Sequence, residues 1–309
     1  MFNIVEKRHW YFLLSALIII PGVIAMVYSL VTYGAPFKLG IDFTGGTLLE
    51  LGFDQPVQPS DIRQVFANNG FPGTTVTTTA DGTILVRTKP MEPEEKAQLV
   101  ASLRDTFGAV EELRFESVGP AVGAEVTRTA SIAVAVAALF ILAFIVFAFR
   151  KVPNAFRYGI CAIAAMLHDI LVTVGLFSIA SLALGWEADA LFLTAILTVI
   201  GFSVQDTIVV FDRIRENIPK RRGEPYETIV NRSLLETIHR SLATQLNAIF
   251  VLVALLLFGG ATMKQFVAVL LVGLLSGTYS SIFNAVPLLV VWETRKVIGR
   301  PRKASEATA

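Results

Sequence analysis

Six stretches of the chain are apolar almost without interruption: Trp10–Val31, Ser131–Phe149, Tyr158–Leu184, Leu191–Phe211, Ser241–Phe258 and Phe266–Trp292. A hydrocarbon core of about 30 Å needs about 20 mostly apolar residues as helix. Each stretch therefore predicts a transmembrane helix, the longest of them tilted or running past the interface. The first follows Lys7-Arg8-His9 and invites comparison with a cleaved secretory signal. Its apolar run exceeds a typical signal core and no clear A-x-A site follows, so an uncleaved anchor is expected.

Between the first two spans the pattern changes. Short β-rich runs at Thr47–Phe53, Thr74–Thr79, Thr83–Thr88 and Val110–Val118 alternate with helical patterns at Ser60–Asn69 and Glu92–Phe107. Asp81-Gly82 between two β-rich runs signals a hairpin turn. Pro59-Ser60 and Pro93 sit where helix starts place them. The order βαββαβ is that of a ferredoxin-like split βαβ unit, an α+β domain small but large enough for one sheet-on-helix core.

Composition narrows the class. Hydrophobic residues make up 54% and charged residues only 17% of the 309, against about 25% charged in soluble domains. That excludes a soluble enzyme of two ordinary domains, and disorder with it. The single cysteine, Cys161, cannot form an internal disulfide, and no Cys/His cluster has metal-ligand spacing. A net charge of +1 argues against nucleic acid as a partner.

Basic residues orient the bundle. With the N-terminus cytoplasmic, the inside segments carry 17 of the 26 Lys and Arg residues, including Arg150, Lys151, Lys220, Arg221, Arg222, Arg295 and Lys296. The short outside loops hold only Lys264. Both termini are then cytoplasmic. The chain divides into an N-terminus with the first span (1–31), an extracytoplasmic α+β domain (32–130), spans two to six (131–292) and a basic cytoplasmic tail (293–309). The extracytoplasmic segment has 8 basic and 13 acidic residues.

Ionisable groups inside a span cost about 2.5–3.5 kcal/mol on insertion scales, which makes each a functional candidate. Asp206 lies seven residues before Arg213, roughly 10 Å inside the cytoplasmic boundary. Ser203 and Thr207 neighbour it at helical spacing, and Gly201 is expected to let another helix approach. A carboxylate in this setting could load and release a proton. Arg240 is the available cation: Thr237, Arg240, Thr244 and Asn247 share one face of the fifth helix, and Arg240 lies roughly level with Asp206. A static ion pair, with Arg240 snorkelling, is the competing reading. His168-Asp169 lies roughly 15 Å into the third span with Thr173 a turn on, as a proton-passing pair or a satisfied helix contact. Gly273, Gly277, Ser280 and Asn284 form a small-residue stripe of the packing kind. Gly40, Gly45 and Gly46 are no phosphate loop, because no GK[ST] follows and the segment runs into a strand.

These residues carry a family resemblance. Gly40-Ile41-Asp42-Phe43-Thr44-Gly45-Gly46 resembles the signature found just outside the first span in the SecF branch of the SecD/SecF protein-export family. So does the run from Asp206 to Asn217, with Asp212, Arg213 and Arg215 inside it. Asn231-Arg232-Ser233, Thr237-Ile238-His239-Arg240-Ser241, Leu167-His168-Asp169 and Leu257-Phe258-Gly259-Gly260 are similar to the same family. The resemblance covers essentially the whole chain.

The resemblance implies a half-transporter of the resistance-nodulation-division superfamily in the bacterial cell membrane, not an enzyme and without a cofactor. It implies pairing with SecD and association with SecYEG, often with YajC and YidC. It also implies use of the proton gradient to complete preprotein export after the SecA ATPase has begun it. On that basis the proton-conducting carboxylate is Asp206 and its basic partner Arg240. Two other readings stand beside this one: a superfamily exporter of lipid or a small molecule, and an uncoupled scaffold of the translocon.

Overall fold

The computed structural model describes residues 3–79, 82–150, 155–221 and 223–294. The Asp81 half of the expected hairpin turn, Lys151, Arg222 and the basic tail from residue 295 lie outside them. Leu39–Ile132 forms one compact unit, and the helices up to Lys38 and from Ala133 onward form another.

The small unit contains a short helix α2 (Ile41–Thr44), β1 (Gly46–Phe53), α3 (Pro59–Asn68), β2 (Thr75–Thr78), β3 (Ile84–Thr88), α4 (Pro93–Phe107) and β4 (Val110–Val118). The strands form one antiparallel sheet in the order β2-β3-β1-β4. Leu49 pairs with Val86 on one side and Phe115 on the other, and the register against β4 shifts between Glu50 and Leu51. Leu49, Leu51, Ile62, Phe66, Val86, Leu99 and Leu103 are all fully buried in its core. Alternating burial along β3 shows one sheet face turned inward, as the period-2 pattern requires. The start of α4 is fixed by Pro93 and by a reciprocal capping box in which the backbone N–H of Glu92 donates to Glu95 Oε2 at 3.0 Å.

Gly45 and Gly46 turn the chain from α2 into β1, with φ +71° and +127°. A Cβ on Gly46 would stand 2.9 Å from the Thr88 carbonyl oxygen, and one on Gly45 2.9 Å from Pro120 Cα. Both positions therefore demand glycine for conformation and for space.

Among the described residues six helices are long and apolar enough to cross a membrane. They are α1 (Arg8–Tyr33), α5 (Pro120–Ala148), α6 (Ala155–Leu184), α7 (Ala190–Lys220), α8 (Tyr226–Phe258), and a last span made of α9 (Ala261–Ser280), a π-helical segment (Ser281–Ala285) and α10 (Val286–Thr294). All six run past the expected apolar stretches, three of them by two turns or more. Helix α5 begins eleven residues before Ser131, α8 fifteen before Ser241, and α7 runs nine past Phe211. Polar residues end a hydrophobic run without ending a helix, since helix propagation depends on backbone hydrogen bonds and not on apolarity. The π segment ends two residues before Pro287, whose ring nitrogen cannot donate to the preceding turn, and a wider turn there relieves that mismatch.

Helices in lipid gain little from the hydrophobic effect and depend on close backbone approach. Gly22 of α1 and Gly175 of α6 meet directly: a Cβ on Gly22 would lie 2.7 Å from Gly175 Cα, and one on Gly175 2.9 Å from Gly22 Cα. Gly273 packs on Val199 of α7 with no room for a methyl group. Gly201 is different from expectation: it lies on the exposed side of α7 with no atom within 4 Å of an added Cβ, so it admits no described neighbour.

The chain after α1 is pinned to α6, where Ser178 Oγ donates to the Pro36 carbonyl at 2.7 Å and the Lys38 backbone N–H donates to Ser181 Oγ at 2.9 Å. At the other end of α1, Asn231 Oδ1 accepts the Ile4 N–H at 2.8 Å, and the buried Arg8 pairs with Glu227 at 3.3 Å. Phe149, just past α5, stacks on Tyr158, and both rings meet Phe211 edge-on.

Gly22→Leu or Gly175→Leu should lower the stability of the detergent-solubilised protein by roughly 1–3 kcal/mol or more, the cost of overpacking. Thermal unfolding checks this; an unchanged midpoint for both would mean that the α1–α6 contact is loose.

Candidate functional site

Two carboxylates lie buried among α6, α7, α8 and α9. Asp206 on α7 is 4% exposed, and its Oδ2 accepts a 2.6 Å hydrogen bond from Gln245 Nε2 on α8. Gln245 is itself buried, and its Oε1 makes no hydrogen bond among the described residues. Asp169 on α6 is fully buried. Its Oδ2 accepts from Ser203 and Ser280 at 2.6 Å each, its Oδ1 from Ser276 at 2.7 Å, and His168 Nδ1 lies 3.0 Å from Oδ1.

The expected residues are thus brought together in part. His168 and Asp169 are joined, and His168 also stacks on Tyr279 with ring centroids 6.0 Å apart. Ser203 faces Asp169, although it is Asp206 that lies one turn along the same helix. Thr207 donates to the Ser203 carbonyl at 3.1 Å, and the Thr173 hydroxyl has no hydrogen-bond partner among the described residues. In the small-residue stripe, Gly273 packs as expected, but Ser280 and Asn284 also carry hydrogen bonds, Asn284 exchanging them with Ser15 of α1.

Arg240 stands apart from Asp206. The buried face of α8 runs through Ser233, Thr237, Ser241 and Gln245 at steps of four, whereas Arg240, Thr244 and Asn247 lie on the exposed side. Among the described residues Arg240 makes no ion pair; it lines a cavity of about 450 Å³ with Asp212, Arg213, Glu216, Glu236 and Thr237. The contact register sets Gln245 level with Asp206 and leaves Arg240, five residues earlier on α8, nearer the Arg213–Glu236 pair; neither that register nor the buried face of α8 was legible from the sequence. Gln245 escaped the sequence reading. Its signal was the polar repeat Thr237-Ser241-Gln245, one step away from the stripe through Arg240.

The run after Asp206 ties α7 to α8. Arg213 donates to Glu236 at 2.6 Å and to Glu216 at 3.0 Å, and Arg215 pairs with Asp212 at 2.6 Å. The buried Asn217 side chain donates to Ser233 Oγ and Glu236 Oε2, both at 2.9 Å. These contacts are structural and hold the end of the helix that carries Asp206.

Six apolar spans around buried carboxylates, with one sizeable α+β unit between the first two, define a multi-pass membrane protein of the transport kind. The chain belongs to the SecD/SecF family of protein export membrane proteins. Residues 98–295 match that family's C-terminal region, and residues 31–57 match the SecD/SecF GG motif. The protein translocase subunit SecF of Thermobaculum terrenum is 52% identical, covering 96% of this chain and 95% of that protein. That of Anaerolinea thermophila is 47% identical, over 95% of each. The crystal structure of SecDF from Thermus thermophilus, a translocon-associated membrane protein, superposes with a TM-score of 0.79 at 33% identity over 95% of this chain. This chain spans 39% of that longer one. Family and helices together make it a protein of the bacterial membrane.

Gln245→Leu should cost roughly 1–3 kcal/mol of stability by leaving Asp206 without its donor. In a double-mutant cycle, Asp206→Leu/Gln245→Leu should recover much of that loss. Strict additivity of the two changes in thermal unfolding would show that the pair is not coupled.

Proposed function

We propose that this Sec protein-export subunit pairs with a SecD half and uses the proton-motive force to drive late steps of preprotein translocation through SecYEG. In this reading both termini are cytoplasmic, residues 32–130 lie outside the membrane, and YajC and YidC join the assembly. The chain performs no catalysis. The strand order β2-β3-β1-β4 with two helices supports reading the outer unit as a ferredoxin-like split βαβ. The pairing with SecD is supported by the Thermus thermophilus SecDF protein, to which this chain is 35% identical across 37% of that protein.

The observation that carries the coupling role is the Asp206–Gln245 pair. An ionised carboxylate accepts from the amide N–H, as seen at 2.6 Å. A protonated carboxyl can instead donate to Gln245 Oε1, the oxygen that has no partner among the described residues. The amide therefore serves both charge states by turning over, and a change of state alters the α7–α8 contact by exchanging which amide atom faces Asp206. Moving one charge through 100 mV supplies about 2.3 kcal/mol, comparable to the roughly 1–3 kcal/mol at stake in one buried hydrogen bond. Arg240, on the exposed side of α8, is not the group that meets Asp206; Gln245 takes that place.

Asp206→Asn is expected to assemble normally and lose gradient-dependent export while retaining the ATP-driven part. The measurement is preprotein export into inverted vesicles holding SecYEG, SecD and this chain, with and without an imposed proton gradient. Equal gradient stimulation of variant and wild type would refute the coupling role and favour a scaffold.

A further inference from the structure

The two buried carboxylates differ in how many donors they hold. A carboxylate offers about four lone-pair sites. At Asp169 four neighbours occupy them, two on each oxygen: Ser203 and Ser280 on Oδ2, Ser276 and His168 on Oδ1, the imidazole donating in the tautomer that a carboxylate selects. The donors come from three helices, α6, α7 and α9. Among the described residues Asp206 has one donor, Gln245. Ser203, which Asp169 grips, lies three residues before Asp206, about 4.5 Å along the axis of α7. On its far side α9 presents Gly277 against Ser203, so backbone and hydrogen bonds meet at one level.

We infer that Asp169 is a positioning residue for Asp206: its carboxylate clamps α7 to α6 and α9 through Ser203, Ser276 and Ser280, and carries no proton itself. This rests on the coupling role proposed for Asp206 and says what holds that group in place. The clamp sets the rotation of α7, which decides whether Asp206 meets Gln245. With every lone pair engaged, a proton arriving at Asp169 would have to turn one of its donors into an acceptor and break the clamp there, whereas Asp206 accepts one beside an amide able to answer it.

The structure supplies a covalent substitute for the clamp. A Cβ on Gly277 would lie 3.7 Å from Ser203 Cβ, within the span of a disulfide. In a chain carrying Cys161→Ala, the pair Ser203→Cys/Gly277→Cys can be oxidised in the assembled complex, and gradient-driven export compared with and without Asp169→Asn. Asp169→Asn alone is expected to lose most of the gradient-driven increment, the oxidised disulfide to restore it, and reduction to remove it again. Three results would overturn the inference: export by Asp169→Asn equal to the parent, no restoration by the disulfide, or loss of gradient-driven export in the oxidised parent. If Asp169→Asn fails to accumulate, Ser276→Ala/Ser280→Ala keeps the carboxylate and removes its hold on α9. The same loss and rescue are expected there, and unimpaired export without the disulfide would refute the clamp. Asp206→Asn in the oxidised chain reports on the coupling role alone: gradient-driven export there would sink that reading, while the disulfide rescue still decides this one.

Discussion

A polar group taken out of water must find its hydrogen bonds inside the protein, and the helical bundle is arranged around that requirement. Asp169 meets it completely, gathering donors from three helices, and so behaves as a fixed node. Asp206 meets it, among the described residues, through a single amide. The difference is one of capacity: a filled carboxylate resists change, and an unfilled one leaves room for a proton. The same rule explains why Asn217 and Asn231 are buried yet engaged, the one toward Ser233 and Glu236, the other toward the backbone before α1.

Hydrogen bonds of this precision need helices held at short distance, and in lipid that closeness comes from small residues. Gly22 against Gly175 sets the approach of α1 to α6. Gly273 and Gly277 bring α9 onto α7 at Val199 and Ser203, which places Ser276 and Ser280 within reach of Asp169. The stripe on α9 is therefore packing and chemistry together. The π segment that follows it carries Asn284 to Ser15 of α1, linking the first span to the same polar interior.

The small α+β unit obeys different physics. Its sheet buries one face on α3 and α4, with alternating apolar positions that could be read directly from the chain. Its entry into β1 turns on Gly45 and Gly46, where positive φ and near contact with Pro120 and Thr88 both exclude a side chain. Glycines read from sequence as signature residues are thus explained by steric constraint.

The sequence by itself determined six stretches long and apolar enough to cross a membrane, where each apolar core begins, and the order of elements in the α+β unit. Those features depend on local apolarity and period, which neighbouring residues along the chain express without help. It also exposed Asp206, Asp169 and Arg240 as costly groups, because a charge in an apolar run stands out whatever surrounds it. Tertiary structure decided the partners. The packing of α8 sets Gln245 level with Asp206 and turns it inward, leaving Arg240 outward and five residues away, because spacing along one helix fixes neither its register nor its rotation against another. Ser203 looks from sequence like a companion of Asp206 and serves Asp169 instead, for the same reason: which face of α7 meets α6 and α9 is set by contacts among residues far apart in the chain.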